Sequence, residues 1–223
     1  MNNWEPLLLS FKLSIITTIL LMITGVPLAY WLAGTKTKFK PVLESIISLP
    51  LVLPPSVLGF YLLLAFSPNH WFGNFLNHYF NLRLVFTFDG LIVSSILYSF
   101  PFMVYPVQAA FQNLPASLKE ASYTLGVSPS KTFFKVMIPN IKPALLSGII
   151  LTFAHTLGEF GVVLMIGGSI PGITKVASIA IYDEVESMNY DNANQYALVL
   201  LVVSFTILLL LFWFNRKRNK NHS

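Results

Sequence analysis

The sequence predicts an all-α integral membrane protein with about five transmembrane helices. Of its 223 residues, 55% are apolar and only 10% are charged, whereas in soluble domains about a quarter of the residues are charged. A membrane-spanning helix needs about 20 largely apolar residues, and five stretches reach that length. We expect the spans at about 9–34, 42–66, 88–112, 139–168 and 193–215. With their connecting loops, they make residues 1–223 a single transmembrane domain.

The basic side chains predict the orientation of the chain. Eleven of the fourteen lysines and arginines lie in three segments, which follow the first, third and fifth spans. They are Lys36, Lys38 and Lys40; Lys119, Lys131, Lys135 and Lys142; and Arg216, Lys217, Arg218 and Lys220. Cytoplasmic loops are enriched in such residues. We therefore expect a multi-pass membrane protein with its N-terminus outside and its C-terminus in the cytoplasm. Charges placed in this way indicate a lipid bilayer as the partner, and not nucleic acid.

Residues 113–138 connect the third and fourth spans and are too polar to lie in lipid. A helical pattern followed by a glycine stop is formed by Leu118, Ala121, Leu125 and Gly126. Ser128 and Pro129 then suit the start of a second short helix. The stretch therefore predicts a helix–glycine–helix element on the cytoplasmic membrane surface, with a small apolar face for a soluble partner.

Part of this stretch resembles the coupling loop of ABC-importer permeases. The resemblance is carried by Glu120-Ala121, then Gly126, then Ile138-Pro139, although Ser122 stands where the family usually has alanine. It implies a type I ABC importer permease fold whose coupling helix docks into a groove on a separate ATPase. The implied docking residues are Leu118, Lys119, Glu120, Ala121, Ser122, Leu125, Gly126 and Pro139. The alternative is an ordinary amphipathic connector.

The second span contains a proline cluster. Pro50, Pro54 and Pro55 lie within six residues, and they cannot all occupy a regular helix because each lacks a donor and clashes with the preceding turn. Such a break is tolerated in a membrane only where protein or a water-filled cavity covers it, so we expect this span to face the protein interior. The stretch is similar to the L-P-P-[ST]-V-L-G-[FY]-Y segment of molybdate permeases, with Ser56 at the hydroxyl position.

The fourth span has a polar side. Polar and ionisable residues within a span are costly and usually face the bundle interior or water. Its residues 156–161, TLGEFG, and the small-residue turn at 167–172 again resemble molybdate permeases. The predicted translocation path consists of Pro54, Pro55, Ser56, Ser147, Thr152, His155, Thr156 and Glu159.

Two of these residues have more than one interpretation. The carboxylate of Glu159 would repel an oxyanion, so we do not make it a substrate ligand. It either holds a helix end or gate through hydrogen bonds, or it contacts an external binding protein or a solvated lumen. His155 is either a packing histidine or an anion donor.

The motifs of catalysis are missing from the sequence. It contains no G-x-x-x-x-G-K-[ST] phosphate loop, no nucleophile–base pair, no metal-ligand constellation and no cysteine. We therefore expect a non-catalytic permease subunit without a metal or cofactor of its own, with ATP and Mg²⁺ on the partner ATPase.

The family resemblance implies the rest of the assembly. It predicts a homodimeric permease of the bacterial inner membrane that imports molybdate and tungstate, with two cytoplasmic ATPase subunits and an external or periplasmic molybdate-binding protein. A short external helix within residues 173–191 would help to meet that binding protein. The alternatives are a sulfate or thiosulfate permease of the same kind, a secondary transporter, for which only Glu159 offers a buried acid, and a membrane scaffold without transport.

Overall fold

The computed structural model describes residues 4–219, and every regular element within that range is helical. The α-helices are α1 Glu5–Gly34, α2 Lys40–Val52, α3 Pro55–Phe66, α4 Trp71–Phe80, α5 Phe88–Gln112, α6 Ala116–Thr124, α7 Pro129–Thr132, α8 Ile138–Asn140, α9 Lys142–Leu157, α10 Gly161–Gly167, α11 Ala177–Glu186 and α12 Tyr190–Asn219. A π-helical turn, Phe133–Met137, joins α7 to α8.

The helices of the described range offer three to five membrane crossings. By length and composition α1, α5 and the Tyr190–Leu210 part of α12 can each cross a membrane. Two further candidates are bent pairs, α2 with α3 at 115° and the segment Pro129–Asn140 with α9 at 78°. The five predicted spans overlap these segments, but the fourth, predicted at 139–168, is offset from its bent pair, which runs from Pro129 to Leu157. The exact boundaries of the spans stay a prediction.

The core lies where α1, α5 and α9 cross. Met103 of α5 is fully buried at this crossing. A Cβ at Gly25 of α1 would lie 3.2 Å from the Met103 Cγ, and one at Gly148 of α9 would lie 3.2 Å from its Sδ. Small residues thus let α1 and α9 approach α5 from two sides, as is usual for helices packed in a membrane.

The second span is broken at its proline pair. The chain leaves α2 at Leu53, whose N–H still donates to the Leu49 carbonyl at 2.9 Å, and Pro54 is extended with φ −54° and ψ 138°. Pro55 then opens α3 at a position where its missing N–H costs nothing. Pro50, by contrast, lies inside α2.

The broken span lies at the surface of the single chain. No residue of α2 is buried, and α3 buries only Gly59 and Phe66. One face of α3 packs tightly against α10, because a Cβ at Gly59 would lie 2.8 Å from the Met165 Cβ and one at Gly161 would lie 2.6 Å from the Pro55 Cβ. Within one chain the span therefore does not face a protein interior, since the bend leaves its other sides uncovered.

Candidate coupling surface and membrane-embedded polar site

The coupling helix α6 ends in a Schellman motif. The Val127 N–H donates to the Ser122 carbonyl at 3.1 Å, and the Gly126 N–H donates to the Tyr123 carbonyl at 2.9 Å. Gly126 has φ +72°, and a Cβ there would meet nothing within 4 Å. Its backbone conformation, and not lack of space, therefore accounts for glycine at this position.

Ser122 is turned inward from the coupling helix. It is 6% exposed, and its hydroxyl lies 2.8 Å from the Thr132 Oγ1 of α7. The Thr132 hydroxyl also contacts the Ser128 carbonyl at 3.1 Å. The serine that replaces the usual alanine thus links the two short helices, and its side chain does not belong to the outer docking face.

The outer face of the element is exposed and partly apolar. The predicted docking residues Lys119, Glu120, Ala121, Leu125 and Gly126 are all exposed, whereas Leu118 and Pro139 are half-buried. Two aromatic residues that the sequence reasoning missed extend this face, because the side chains of Tyr123 and Phe134 are 41% and 68% exposed. Leu125 itself is 81% exposed.

Three aromatic rings connect the coupling element to the membrane helices. The Phe133 ring of the π-helical turn lies 5.0 Å from that of Tyr30 in α1 and 6.0 Å from that of Phe111 in α5, measured between centroids. The Tyr30 and Phe111 rings lie 5.2 Å apart. The Lys119 Nζ of α6 also lies 6.0 Å from the centroid of the Tyr30 ring. The C-terminal ends of α1 and α5 therefore contact the coupling element directly through side chains.

The polar side of α9 meets α5 at Ser99. The Ser99 hydroxyl lies 3.0 Å from the His155 Nδ1 and 2.9 Å from the Thr156 Oγ1. The His155 ring stacks on Phe102 at 4.0 Å between centroids and lies 4.9 Å from Tyr98. These contacts favour the packing interpretation of His155. Ser99 was not among the predicted path residues, because nothing in its local sequence shows which helix it faces.

Glu159 lies in the short break between α9 and α10. The residue is 5% exposed, and its backbone carbonyl accepts a 2.6 Å hydrogen bond from the Ser178 hydroxyl of α11. The Ser95 hydroxyl of α5 lies near its carboxyl group. Neither carboxyl oxygen, however, has a hydrogen-bond partner among the described residues. In this conformation the backbone of Glu159 is tied to α11, while its carboxyl group is enclosed without a partner.

The other predicted path residues are not brought together in one chain. Thr152 is fully buried, and its hydroxyl has no partner among residues 4–219. The Ser147 hydroxyl donates to the Pro143 carbonyl of its own helix at 2.9 Å. Pro54, Pro55 and Ser56 are exposed. The structure thus groups His155, Thr156 and Glu159 near α5 and leaves the second-span residues on the surface.

A polar link between α2 and α5 was also missed from the sequence. The Gln108 Nε2 donates to the Glu44 Oε1 at 2.6 Å, and the Tyr105 hydroxyl donates to the Glu44 carbonyl at 3.0 Å and also contacts the Ser48 hydroxyl. The Lys40 Nζ lies 3.9 Å from the same carboxylate oxygen. Glu44 directly precedes a long apolar run, and nothing in its local sequence shows which helix its carboxylate contacts.

The turn after α10 is fastened to α11 by an ion pair. The Lys175 Nζ lies 2.7 Å from the Asp183 Oδ2, which also accepts a 2.5 Å hydrogen bond from the Ser169 hydroxyl. Partial burial raises the pKa of Asp183, but the hydrogen bonds from Lys175 and Ser169 outweigh it and hold the pKa below its ordinary value. The contact therefore stabilises the fold at neutral pH, and this contribution is lost as the pH falls through that lowered pKa.

Most of the chain matches one known protein family. Residues 25–220 match the model of the family described as "binding-protein-dependent transport system inner membrane component". The chain belongs to this family. Membership makes it an inner-membrane permease subunit, and the permease fold expected from the coupling loop is confirmed.

Two transport permeases are similar to this chain over most of its length. The "Molybdenum transport system permease protein ModB" of Azotobacter vinelandii is 44% identical over 205 residues, which cover 92% of this chain and 90% of that protein. This match confirms the resemblance to molybdate permeases. The "Probable sulfate transport system permease protein cysT" of Nephroselmis olivacea is 32% identical over 93% of this chain and 72% of its own length.

A solved structure agrees in fold. It is the crystal structure of a bacterial alginate ABC transporter in complex with an alginate pentasaccharide-bound periplasmic protein. The similarity has a TM-score of 0.76 at 18% identity and covers 98% of this chain and 80% of the other. Identity this low shows a common fold alone.

Proposed function

We propose that this chain is the permease subunit of an ATP-driven importer that carries molybdate, and also tungstate, into the cytoplasm. The observation that carries the proposal is the 44% identity to the molybdenum permease of Azotobacter vinelandii over nearly the whole length of both chains. The proline pair of the second span and the Glu159 segment of the fourth belong to the same resemblance.

We place two copies of the chain in the functional unit. One chain leaves the broken second span uncovered, and proline breaks in a membrane need protein or water around them. A two-fold dimer would cover this surface in the simplest closed way. The half-buried Ser147 and His155 of α9 would then border the path between the copies, whereas Thr152, Thr156 and Glu159 are buried within one chain.

The chain would couple transport to ATP hydrolysis without catalysing it. Two ATPase subunits, which hold ATP and Mg²⁺, would grip the exposed face around Leu125 and Phe134 from the cytoplasm. Movement of that face would reach α1 and α5 through Tyr30, Phe111 and Phe133. A binding protein outside the membrane would deliver the oxyanion to the opposite side, where α11 lies.

The test is reconstitution of the permease with its ATPase and binding protein in liposomes. We expect molybdate and tungstate, but not sulfate, to stimulate ATP hydrolysis and to accumulate inside. Stimulation by sulfate alone would favour the second candidate, a sulfate permease, for which the similarity to the Nephroselmis olivacea protein is the supporting observation. Accumulation without any ATPase would contradict both and indicate a secondary transporter.

A further inference from the structure

An amphipathic cleft opens between the end of α3 and the start of α5. It has a volume of about 710 Å³. Its apolar wall includes Leu63, Leu64 and Val85, and its polar end includes Ser67, Asn69 and Arg83. The proposed transport mechanism does not use this cleft.

The guanidinium group of Arg83 gives the polar end its charge. Arg83 is exposed, and the two ion pairs among the described residues, Lys40–Glu44 and Lys175–Asp183, do not involve it. An arginine presents several N–H donors in a flat fork that matches the oxygen atoms of a phosphate group. Arg83 is therefore available to an anion from outside the chain.

The backbone that carries Arg83 is held firmly. The Thr87 hydroxyl contacts the Arg83 carbonyl at 2.9 Å, and the neighbouring Leu84 is buried in a cluster with Phe66 and Ile166. The Phe86 N–H donates to the Ile166 carbonyl at 2.8 Å. The backbone at Arg83 therefore keeps its position relative to the apolar wall, which places the guanidinium group within reach of the cleft.

The surroundings of the cleft are those of a membrane interface. It lies between the end of α3 and the start of α5, two helices of the candidate membrane segments, and beside helix α4. Trp71, Tyr79 and Phe80 of α4 are exposed by 82%, 70% and 67%. Exposed aromatic residues next to membrane spans are enriched at the level of the lipid headgroups, so the phosphate groups of a bilayer lie at the depth of Arg83.

We propose that this cleft binds an anionic glycerophospholipid. The lipid phosphate contacts Arg83, and Ser67 and Asn69 add polar contacts to the headgroup. An acyl chain lies along Leu63, Leu64 and Val85. An inorganic oxyanion would leave this apolar wall uncovered, and so would a carboxylate of a docking protein.

Native mass spectrometry of the full chain can test the site. The protein is exchanged into detergent with equal amounts of phosphatidylglycerol and phosphatidylcholine, and the lipids retained by each protomer are counted. We expect the wild type to prefer phosphatidylglycerol. Arg83→Gln should reduce that preference about tenfold, since it removes a charge-assisted hydrogen bond, while Arg83→Lys should keep part of it.

Matched controls separate the cleft from general surface charge. Lys175→Gln removes one positive charge from the same side of the protein but also breaks the ion pair with Asp183. Once thermal unfolding shows that this variant is folded, we expect its lipid preference to be unchanged. Leu64→Trp places a larger side chain in the cleft and should lower retention of both lipids. Millimolar inorganic phosphate should not displace bound lipid, because it lacks an acyl chain.

Three outcomes would overturn the proposal. The first is equal lipid retention by the wild type and Arg83→Gln. The second is displacement of the lipid by inorganic phosphate, which would indicate a free-oxyanion site. The third is weaker association of the binding protein with Arg83→Gln at unchanged lipid retention, which would make the cleft a protein-docking surface. None of the three outcomes bears on whether the wild-type permease transports molybdate with ATP, so failure here is distinct from failure of the proposed function.

Discussion

At the scale of single residues, Ser99 links helix α5 to helix α9. Its hydroxyl contacts both the His155 Nδ1 and the Thr156 Oγ1 within the buried core. Ser147, by contrast, satisfies its hydroxyl on the Pro143 carbonyl of its own helix. The two serines are chemically alike, but only Ser99 connects two helices.

Ser99→Ala should therefore destabilise the protein more than Ser147→Ala. The first substitution removes two interhelical contacts, and each such contact in a membrane protein contributes about 0.6 kcal/mol on average. We expect a loss of about 1 kcal/mol for Ser99→Ala and little change for Ser147→Ala. Thermal unfolding in detergent measures both, and equal melting temperatures for the two variants would show that Ser99 is not such a link.

The carboxyl group of Glu159 is enclosed between helices and has no hydrogen-bond partner among the described residues. An enclosed carboxyl group without a hydrogen-bond partner is costly, and ionisable residues inside membrane proteins are typically functional. Glu159→Gln keeps the shape of the side chain but removes the cost of enclosing an ionisable group. We expect it to raise the free energy of unfolding by about 1 kcal/mol and to lower ATP-driven molybdate uptake.

Thr17→Val is the matched control for this substitution. The Thr17 hydroxyl is also buried without a partner among the described residues, but Thr17 is not one of the predicted path residues. We expect it to raise stability without lowering uptake. If Glu159→Gln transports as well as the wild type, the carboxyl group has no role in translocation.

At the scale of elements, the coupling surface depends on how α6 ends. The reversal after α6 requires the positive φ of Gly126, and it turns the chain so that Leu125 and Phe134 stay exposed. The aromatic contacts of Phe133 then place this surface under α1 and α5. A change in the reversal should therefore disturb docking of the ATPase before it disturbs the membrane helices.

Gly126→Val tests this expectation. A β-branched residue in the left-handed region costs roughly 1–2 kcal/mol, so the turn should rearrange and the cognate ATPase should no longer co-purify. Gly34→Val is the control, because a Cβ at Gly34 also meets nothing within 4 Å and Gly34 does not have a positive φ. If both variants retain the ATPase equally, the surface around Gly126 is not its docking site.

At the scale of the whole molecule, the sequence predicted local breaks better than long-range contacts. Pro54-Pro55 and the Gly126 stop depend on the backbone of a few neighbouring residues, so their effect is visible in the sequence. The Ser99–His155 and Glu44–Gln108 contacts join residues more than fifty positions apart. Which hydroxyl or carboxylate meets which partner is decided only when the helices pack, and no local pattern reveals it.

At this scale the positive-inside rule predicts the orientation of the whole chain, and a labelling experiment can test that prediction. Leu125 and Trp71 are almost equally exposed, at 81% and 82%, and lie in loops that the rule assigns to opposite sides of the membrane. Because the chain has no cysteine, Leu125→Cys and Trp71→Cys each provide a single thiol. In intact cells without the ATPase and with a permeabilised outer membrane, a membrane-impermeant maleimide should label Trp71→Cys only. After disruption of the inner membrane it should label both, whereas labelling of Leu125→Cys in intact cells would place the coupling helix outside, where no cytoplasmic ATPase could reach it.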